Sequence, residues 1–533
     1  MLKLDKLSKK IDIVTIFWVL FYSFIFSLLV VNSLNYLDPD FGWHLKIGEE
    51  ISRTASVPHE NIYNYTYTGS WVDHEWLINL ITYEIYDKFG YFVLTLFFAL
   101  VVILTLILLK VVTNKYFPKT PSWLFALIQL FGLIACLPHF GVRMQEFGLL
   151  FLLLELLIIQ EFSNKKSWKS LVWLIPLFCL WANVHGSFLL GIGLLFSWLV
   201  VKFIENRLYL GKWKQYFSAS KILQVFHLFL ALLFSIASVF VTFFTPYGLE
   251  LYAFLGGYKN SFYSTVIQEW IPQYIFPFNY WQLLYLFFLT FVLVLYAYKF
   301  LSNKNRVIHL WDIFLTVFLL FLSFKSRRHF PIVFIATLPF VIKTIYYSFD
   351  MEKIRFALLT KPLRYLIIFC LFLLCISQFS KIQIFSDPFS RYCSKYPCQA
   401  TNYLINERKY DDLNIFNSYG WGGFLIWVYP EKKLFIDGRI PQTEYAGHTF
   451  LEEYYEFFDP KADFENKLKQ YNIKLVLISS KEDPILVKKW EQILFIINQK
   501  EIITPNYLRR YLDNSEKWDK IYSDPLASIY LKK

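Results

Sequence analysis

Charged residues are scarce in this sequence. Only 18% of its 533 residues are Asp, Glu, Lys or Arg, whereas 56% are hydrophobic, and the mean hydropathy is +0.40. A soluble domain is less apolar than this, so that class is excluded for most of the chain. Repeated apolar runs of roughly 15–23 residues, separated by short polar stretches, predict a multi-pass α-helical membrane protein.

Cysteine is also rare, with six residues in the chain. Four of them lie in or beside apolar runs, where we expect them to pack as small hydrophobic side chains: Cys136, Cys179, Cys370 and Cys375. Cys393 and Cys398 follow the last apolar run. The lack of a matching second pair argues against a zinc site there. A disulfide suits the pair if that segment faces an oxidising compartment.

The chain also lacks a dinucleotide-binding fingerprint and an internal repeat. Gly420, Gly422 and Gly423 do not have the spacing of the fingerprint, so they predict a tight turn and no bound nucleotide. The lack of a repeat argues against the two-halved architecture that is common in transporters.

About eleven apolar runs can be drawn as membrane spans. They are Ile11–Ser33, Tyr91–Leu109, Trp123–Leu137, Phe147–Ile159, Leu171–Val184, Phe188–Val201, Ile222–Phe244, Trp281–Tyr298, Leu310–Phe324, Phe330–Ile345 and Tyr365–Phe379. Basic residues cluster at alternate ends of these runs. This positive-inside pattern predicts a cytoplasmic N-terminus and an extracytoplasmic C-terminal segment. Most of the net charge of +12 therefore comes from basic residues that set the orientation of the spans. It gives no reason to expect a nucleic-acid partner.

The composition changes after Ser380. Residues 1–380 are predicted to form the transmembrane domain, with a long first outer loop at 34–90, and residues 381–533 an extracytoplasmic soluble α/β domain. Strands are predicted at Asn414–Phe416, Gly423–Val428, Lys433–Ile436 and Lys474–Ile478. Helices are predicted at Tyr454–Phe458, Phe464–Tyr471 and Ile485–Ile497.

Two carboxylates stand one residue apart where the first span ends. Charge placed beside hydrocarbon is costly and therefore usually functional, so Asp38 and Asp40 are predicted to be the catalytic centre. The alternative is that they cap the helix expected to begin in this loop, since Asp is a favoured N-cap residue.

Further polar residues are predicted at the same outer face. The cluster Arg327-Arg328-His329 runs against the topological charge bias, and its simplest use is to hold an anion such as a lipid phosphate. Binding of ordinary anionic lipid is the alternative. The other substrate-binding candidates are Arg143, His185, Glu269, His44 and Glu75. A divalent metal is left open, with Asp40, His44 and His74 as candidate ligands.

Several of these candidates also have a structural interpretation. Arg143 and Glu146 could pair across one helical turn. His185 beside Gly186 could be a packed histidine at a close helix contact. Glu155 lies within a span, where an acid is a functional candidate by default, or a neutral, hydrogen-bonded core residue.

Taken together, the motifs resemble the GT-C membrane glycosyltransferases, which include protein O-mannosyltransferases and lipid A aminoarabinose transferases. They resemble most closely a poorly characterised bacterial subgroup. The segments that carry the resemblance are Asp38–Leu45, Trp71–Leu77, Asn183–Gly186, Thr245–Gly248, Gln268–Trp270, Arg327–His329, Asn417–Gly423 and Phe435–Arg439. The resemblance implies a GT-C fold, and remote relatives use polyprenyl-phosphate sugars as donors. One departure is Gly42 in place of the usual aromatic residue, which is expected to loosen the first loop helix.

The sequence thus favours inverting sugar transfer at the outer face of a bacterial cytoplasmic membrane. The donor would be a polyprenyl-phosphate sugar, and the acceptor a glycan, a lipid or a protein. Asp40 would be the base and Asp38 its orienting or metal-binding partner, while the arginines would hold the phosphate. A transporter or flippase using Glu155 is one rival. A non-catalytic scaffold that binds glycan through Phe435–Arg439 is another, although a strand-end turn is the favoured explanation of that segment.

Overall fold

The fold is taken from a computed structural model, which describes residues 12–217, 222–259, 262–302, 308–353, 361–382, 392–445, 447–482, 485–494 and 498–533. Several residues of the predicted basic clusters lie outside these ranges: Lys3, Lys6, Lys9, Lys10, Lys304, Arg306 and Arg355. The chain divides into two compact units. The first comprises Met1–Tyr36, Tyr91–Thr245 and Gln268–Ser386, and the second Leu37–Gly90, Pro246–Ile267 and Asp387–Lys533.

The first unit is helical. Its helices are α1 (Ile13–Asn35), the later part of α3 (Trp76–Tyr116), α4 (Ser122–Cys136), α5 (Gln145–Lys165), α6 (Trp168–Leu171), α7 (Leu174–Val184), α8 (Phe188–Leu210), α9 (Val225–Val241), α12 (Tyr280–Ser302), α13 (Leu310–Lys325), α14 (Phe330–Ser348) and α15 (Lys361–Phe379). Gly90 interrupts α3 with a positive φ of 76°. Short 3₁₀ turns lie at Leu137–His139 and Arg327–His329.

Helix α14 forms the core of this unit. It packs against α4, α5, α12 and α13, and its side chains are apolar around most of its circumference, as expected of a buried helix. The contact with α4 is close, because a Cβ added at Gly132 would lie 2.1 Å from Cδ2 of the Phe334 ring.

Each predicted span coincides with one of these helices. Within the described residues, seven helices are long and apolar enough to cross a membrane, and Trp168–Val184 and Val225–Val241 are shorter apolar segments. The structure is therefore that of a helical membrane protein. The number of spans and their orientation stay predictions.

The second unit is mixed. Its helices are α2 (Phe41–Thr54), the start of α3, α10 (Glu250–Gly256), α11 (Tyr263–Val266), α16 (Cys398–Glu407), α17 (Gly422–Val428), α18 (Phe450–Glu456), α19 (Phe464–Gln470), α20 (Lys489–Leu494) and α21 (Tyr507–Asn514). Its strands are β1 (Asn414–Asn417), β2 (Glu444–Tyr445), β3 (His448–Thr449), β4 (Ile473–Ser479), β5 (Ile485–Leu486), β6 (Glu501–Ile502), β7 (Trp518–Ser523) and β8 (Ala527–Lys532).

Four of these strands form the main sheet, in the order β1-β4-β8-β7. β1 runs parallel to β4, whereas β8 is antiparallel to both of its neighbours. Leu475 pairs with Leu531, and Leu477 with Ile529. β4 is buried along most of its length, which suits its near-continuous apolar sequence.

Two of the predicted strands are wrong. Gly423–Val428 lies in helix α17, where Phe424, Leu425 and Ile426 are all buried. A short apolar run that is buried on every side has no period that distinguishes strand from helix. Lys433–Ile436 forms no strand either, although Leu434 makes one isolated parallel bridge with Asn64. The helix predicted at Ile485–Ile497 begins instead with strand β5, and its last three residues lie outside the described ranges.

The two units do not follow the division at residue 380, because the first loop is hydrogen-bonded to the C-terminal part of the chain. The amide of Tyr65 donates to the carbonyl of Leu434 at 3.2 Å, and the amide of Leu434 donates to the carbonyl of Tyr63 at 2.8 Å. The Thr66 hydroxyl donates to the carbonyl of Phe435 at 2.6 Å. Residues 37–90 therefore fold together with residues that follow position 387.

Candidate functional site

The segment Asp38-Pro39-Asp40 forms a tight turn at the start of α2. The Asp40 amide donates to Oδ1 of Asp38 at 2.8 Å, which fixes the turn. Asp40 stands at the N-cap position, but its side chain makes no capping bond to the described helix. Its Oδ1 accepts instead from Nε1 of Trp43 at 2.9 Å. The capping interpretation therefore does not account for the Asp40 carboxylate.

Three glycines bring the C-terminal chain against this turn. A Cβ added at Gly438 would lie 2.0 Å from Oδ1 of Asp40, and one at Gly423 would lie 2.1 Å from the carbonyl oxygen of Pro39. A Cβ at Gly42 would lie 2.0 Å from the carbonyl oxygen of Gly423. Gly42 thus permits the close approach of α2 and α17. The sequence predicted only that this glycine would loosen α2, and it did not predict this packing role.

A buried ion pair lies next to Gly438. Arg439 and Asp437 are 2.8 Å apart, and neither side chain is exposed to solvent. Nη2 of Arg439 also donates to the side-chain oxygens of Asn61 and Asn64, each at 2.9 Å. The guanidinium lies 4.9 Å from the centre of the Tyr63 ring. These contacts stabilise the fold of the first loop on residues 437–439, which favours the structural interpretation of that segment.

A polar chain runs from His44 to Asp73. Nδ1 of His44 lies 2.7 Å from Oδ1 of Asn79, and Nδ2 of Asn79 donates to both carboxylate oxygens of Asp73 at 3.0 and 2.8 Å. Burial raises the pKa of Asp73 to about 6, although the hydrogen bonds from Asn79 and from the Glu75 amide lower it. Glu75 lies between the two histidines, 3.7 Å from His44 and 3.8 Å from His74.

The predicted metal ligands are not brought together as a set. Asp40, His44 and His74 do not form a group with ligand atoms within 4.8 Å of one another, and among the described residues the one such group is His448, Glu453 and Glu456. The reason is that His44 is directed at Asn79, whereas Asp40 accepts from Trp43.

The group at His448 already contains a cation. Nζ of Lys467 lies 3.1 Å from Glu453 and 2.5 Å from Glu456. Because this ammonium contacts both carboxylates, the group is better described as an ion-pair network than as a metal site.

In the first unit, two predicted arginines converge on one carboxylate. Arg143 lies 2.5 Å and Arg328 3.9 Å from Glu269, and the Arg328 guanidinium lies 4.9 Å from the centre of the Trp270 ring. Burial alone would raise the pKa of Glu269, but the two guanidiniums outweigh it and lower the pKa to about 2. The cluster therefore carries one net positive charge, and the Arg328 side chain is 36% exposed.

The other predicted residues of this unit have contacts that serve the fold. Arg327 is only 5% exposed. Its side chain donates to the carbonyl of Ile275, and its amide to that of Ile271. Nδ1 of His185 lies 2.8 Å from the Ser187 hydroxyl and accepts from the Ser187 amide, which fixes the turn before α8. His329 is half-buried, with its ring 6.4 Å from that of Trp270.

Comparison with solved structures finds the oligosaccharyltransferase AglB of Archaeoglobus fulgidus. The structure tethered to an acceptor peptide has a TM-score of 0.53 at 12% identity, over 88% of this chain and 69% of that one. The complex with an inhibitory peptide and a dolichol-phosphate has a TM-score of 0.52 at 12% identity, over 87% and 69%. The chain has a GT-C fold.

At this identity the likeness establishes the GT-C fold alone. No protein-family model and no curated protein matches the sequence. The predicted GT-C fold is thus confirmed, whereas membership of the bacterial subgroup stays a prediction.

Sequence reasoning predicted one feature near the Asp38 turn and missed another, the contact made by Tyr396. Cys393 and Cys398 form a disulfide, which confirms that interpretation of the pair. The loop that it closes contains Tyr396, whose hydroxyl donates to the carbonyl of Leu37 at 3.1 Å and whose ring stacks on Phe424. Arg439 and Asp73 were also not named as site residues. Both belong to motifs that carried the resemblance, and their polar side chains within apolar surroundings were the signal that could have identified them.

Proposed function

We propose that the protein is a membrane glycosyltransferase that moves a sugar from a polyprenyl-phosphate donor to an acceptor hydroxyl, with inversion at the anomeric carbon. The observation that carries the proposal is the Asp40 carboxylate, held in a glycine-lined turn of a GT-C fold. The complex of AglB with a dolichol-phosphate supports a lipid-linked donor in general terms. The acceptor is a glycan, a lipid or a protein, and the chemistry takes place at the outer face of a bacterial cytoplasmic membrane.

In this proposal Asp40 is the general base. The acceptor hydroxyl oxygen attacks the anomeric carbon while the bond from that carbon to the phosphate oxygen breaks, and Asp40 takes the hydroxyl proton. Asp38 orients Asp40 through the hydrogen bond to its amide. The Trp43 indole holds one carboxylate oxygen, which limits rotation of the side chain.

The leaving phosphate needs positive charge, because its negative charge grows as the bond breaks. Arg328 and Arg143 are our candidates for this role. Glu269 neutralises one of the two guanidiniums, and the partial exposure of Arg328 leaves its planar donors accessible to an anion. Arg327 is assigned to the fold, since its side chain is buried against main-chain carbonyls. Metal dependence stays open, with no ligand set assigned.

The test is transfer of labelled sugar by the purified full-length protein. Asp40→Asn should lower the rate by about 10²–10⁴-fold, which is the usual contribution of a general base. Arg328→Gln should also lower the rate. The matched controls are Asp87→Asn and Lys353→Gln, because both residues are exposed. Wild-type rates in Asp40→Asn would remove the catalytic assignment, and wild-type rates in Arg328→Gln would remove the phosphate assignment.

A transporter is the second candidate, and one observation favours it. Glu155 of α5 is fully buried, and neither carboxylate oxygen has a hydrogen-bond partner among the described residues. A buried acid within a membrane span commonly marks a path for an ion or a substrate. Substrate flux into vesicles that survives Asp40→Asn but is lost in Glu155→Gln would favour this candidate over the transferase.

A further inference from the structure

A cavity of about 230 Å³ lies in the first unit, where α1, α4 and α15 begin and α3 ends. None of the residues that line it belongs to the proposed active site. A water molecule takes up about 30 Å³ of liquid, so the cavity is several times larger than one water needs. The basic clusters of the sequence predict that this end of the helices faces the cytoplasm.

The walls of the cavity are mostly apolar. Phe17 of α1, Trp123 of α4, and Ile367 and Ile368 of α15 contribute large hydrophobic side chains. They belong to helices that are apolar enough to cross a membrane, so the wall is of the kind that hydrocarbon can contact. Such a wall fits an acyl chain better than it fits a free polar solute.

Two polar groups in this lining are buried without a hydrogen-bond partner among the described residues. They are the hydroxyl Oγ1 of Thr120 and the indole Nε1 of Trp123. Buried polar groups are nearly always paired, because the loss of hydration is costly otherwise. An indole N–H can only donate, so the missing partner must present an acceptor oxygen.

Two cations line the same cavity. Arg364 is exposed at the start of α15, and its planar guanidinium suits a phosphate. Lys119 lies 2.8 Å from Glu352, but the two side chains are 64% and 66% exposed. Exposed pairs of this kind contribute little, so a phosphate can compete for Lys119. Asp12 stands beside the lining residue Ile13, and its carboxylate already accepts from amides at the start of α1.

From these features we propose that the cavity binds one anionic phospholipid. The phosphate contacts Arg364 and Lys119, while oxygens of the headgroup and its glycerol accept from Trp123 and Thr120. An acyl chain follows the wall formed by Phe17 and Ile367. Free phosphate shares the headgroup chemistry but has nothing to place on the apolar wall.

The experiment measures lipid retention by native mass spectrometry of the full-length protein, purified in detergent and stripped of lipid. The probes are phosphatidylglycerol, the zwitterionic phosphatidylcholine, and inorganic phosphate alone. The wild-type protein should retain phosphatidylglycerol in preference to phosphatidylcholine. Arg364→Gln should weaken this retention about five-fold, since one basic residue near a membrane surface contributes about that factor. Ile368→Trp, which fills the cavity, should also weaken retention.

Lys353→Gln is the matched control, because this lysine is exposed at the same end of the bundle and does not line the cavity. It should retain phosphatidylglycerol as the wild-type protein does. Wild-type retention in both Arg364→Gln and Ile368→Trp would overturn the proposal. Equal retention of the two lipids would also overturn it, as would displacement of phosphatidylglycerol by inorganic phosphate alone. Arg364 is exposed, so its substitution should leave the fold intact, and unchanged thermal melting verifies this.

Discussion

The buried carboxyl group of Asp73 should contribute to the pH dependence of the protein's stability. Its pKa is about 6 in the folded chain, against an ordinary value of 3.8. The unfolded chain therefore ionises first as the pH rises. The stability that Asp73 contributes is complete below pH 4 and is lost as the pH rises through 6. The difference amounts to about 3 kcal/mol.

Asp73→Asn should remove this dependence, because an amide does not ionise and its oxygen still accepts from Asn79. Thermal melting measured between pH 4 and pH 7 should show the wild-type protein losing stability relative to the variant. Asp87→Asn is the control, since Asp87 is exposed on α3. A constant difference between wild type and Asp73→Asn across this range would contradict the prediction.

Candidate site residues could be predicted where their charge contrasts with the sequence around them. Asp38, Asp40, Arg143, Glu269 and Arg328 stood out because charge is rare beside apolar runs. Arg143 and Arg328 converge on Glu269, while their role in binding a substrate stays a prediction. Arg439 lies in a motif that the sequence singled out, but its partners Asn61 and Asn64 could not be predicted, because they precede it by 378 and 375 residues.

Helix α2 depends on two of its glycines for its packing against neighbouring elements. A Cβ at Gly42 would meet the carbonyl oxygen of Gly423 at 2.0 Å, and one at Gly48 would meet that of Asn79 at 2.2 Å. Gly42→Ala should therefore destabilise the protein by about 1–3 kcal/mol through overpacking. Differential scanning fluorimetry of the purified protein measures this as a lower melting temperature.

The matched control for Gly42 is Gly256→Ala. Gly256 is also helical and lies in the same unit, but a Cβ added there meets nothing within 4 Å. Alanine should leave stability unchanged or raise it slightly, since glycine is the poorer helix former. Equal losses in the two variants would mean that helix propensity, and not the close approach, explains Gly42.

Elements were predictable in proportion to their length. The long apolar runs could only be helices, and each of them coincides with one. The short run Gly423–Val428 had no such constraint, and in the folded protein it is a helix that packs against α2. The strands β7 and β8 were missed because their pairing partners are set only in the folded sheet, where β8 lies between β4 and β7.

On the scale of the whole molecule, the guanidinium of Arg439 pairs with Asp437 and also joins residues that lie 378 and 375 positions earlier in the sequence. Arg439→Met would leave the Asp437 carboxylate buried and without its cation, so the protein should lose about 3–5 kcal/mol of stability. Arg510→Met removes an exposed arginine that lies 2.8 Å from Glu482, and should change stability by less than about 0.5 kcal/mol. Urea unfolding followed by tryptophan fluorescence compares the two, and similar midpoints would contradict the prediction.

The same long-range contacts could not be predicted from composition alone. Apolar content marks the helical part clearly. It gives no sign that residues 37–90 fold with residues 434 and 435, because main-chain hydrogen bonds leave no signature in side-chain composition.

The bond between Cys393 and Cys398 has a practical consequence for anyone who prepares this protein. Both cysteines stay reduced when the protein is made in a cell-free extract that contains dithiothreitol. The loop from which Tyr396 contacts Leu37 is then no longer closed by a covalent bond. Protein prepared with an oxidant and protein prepared without one thus differ in this disulfide. The free thiols of each preparation should therefore be titrated before their catalytic rates are compared.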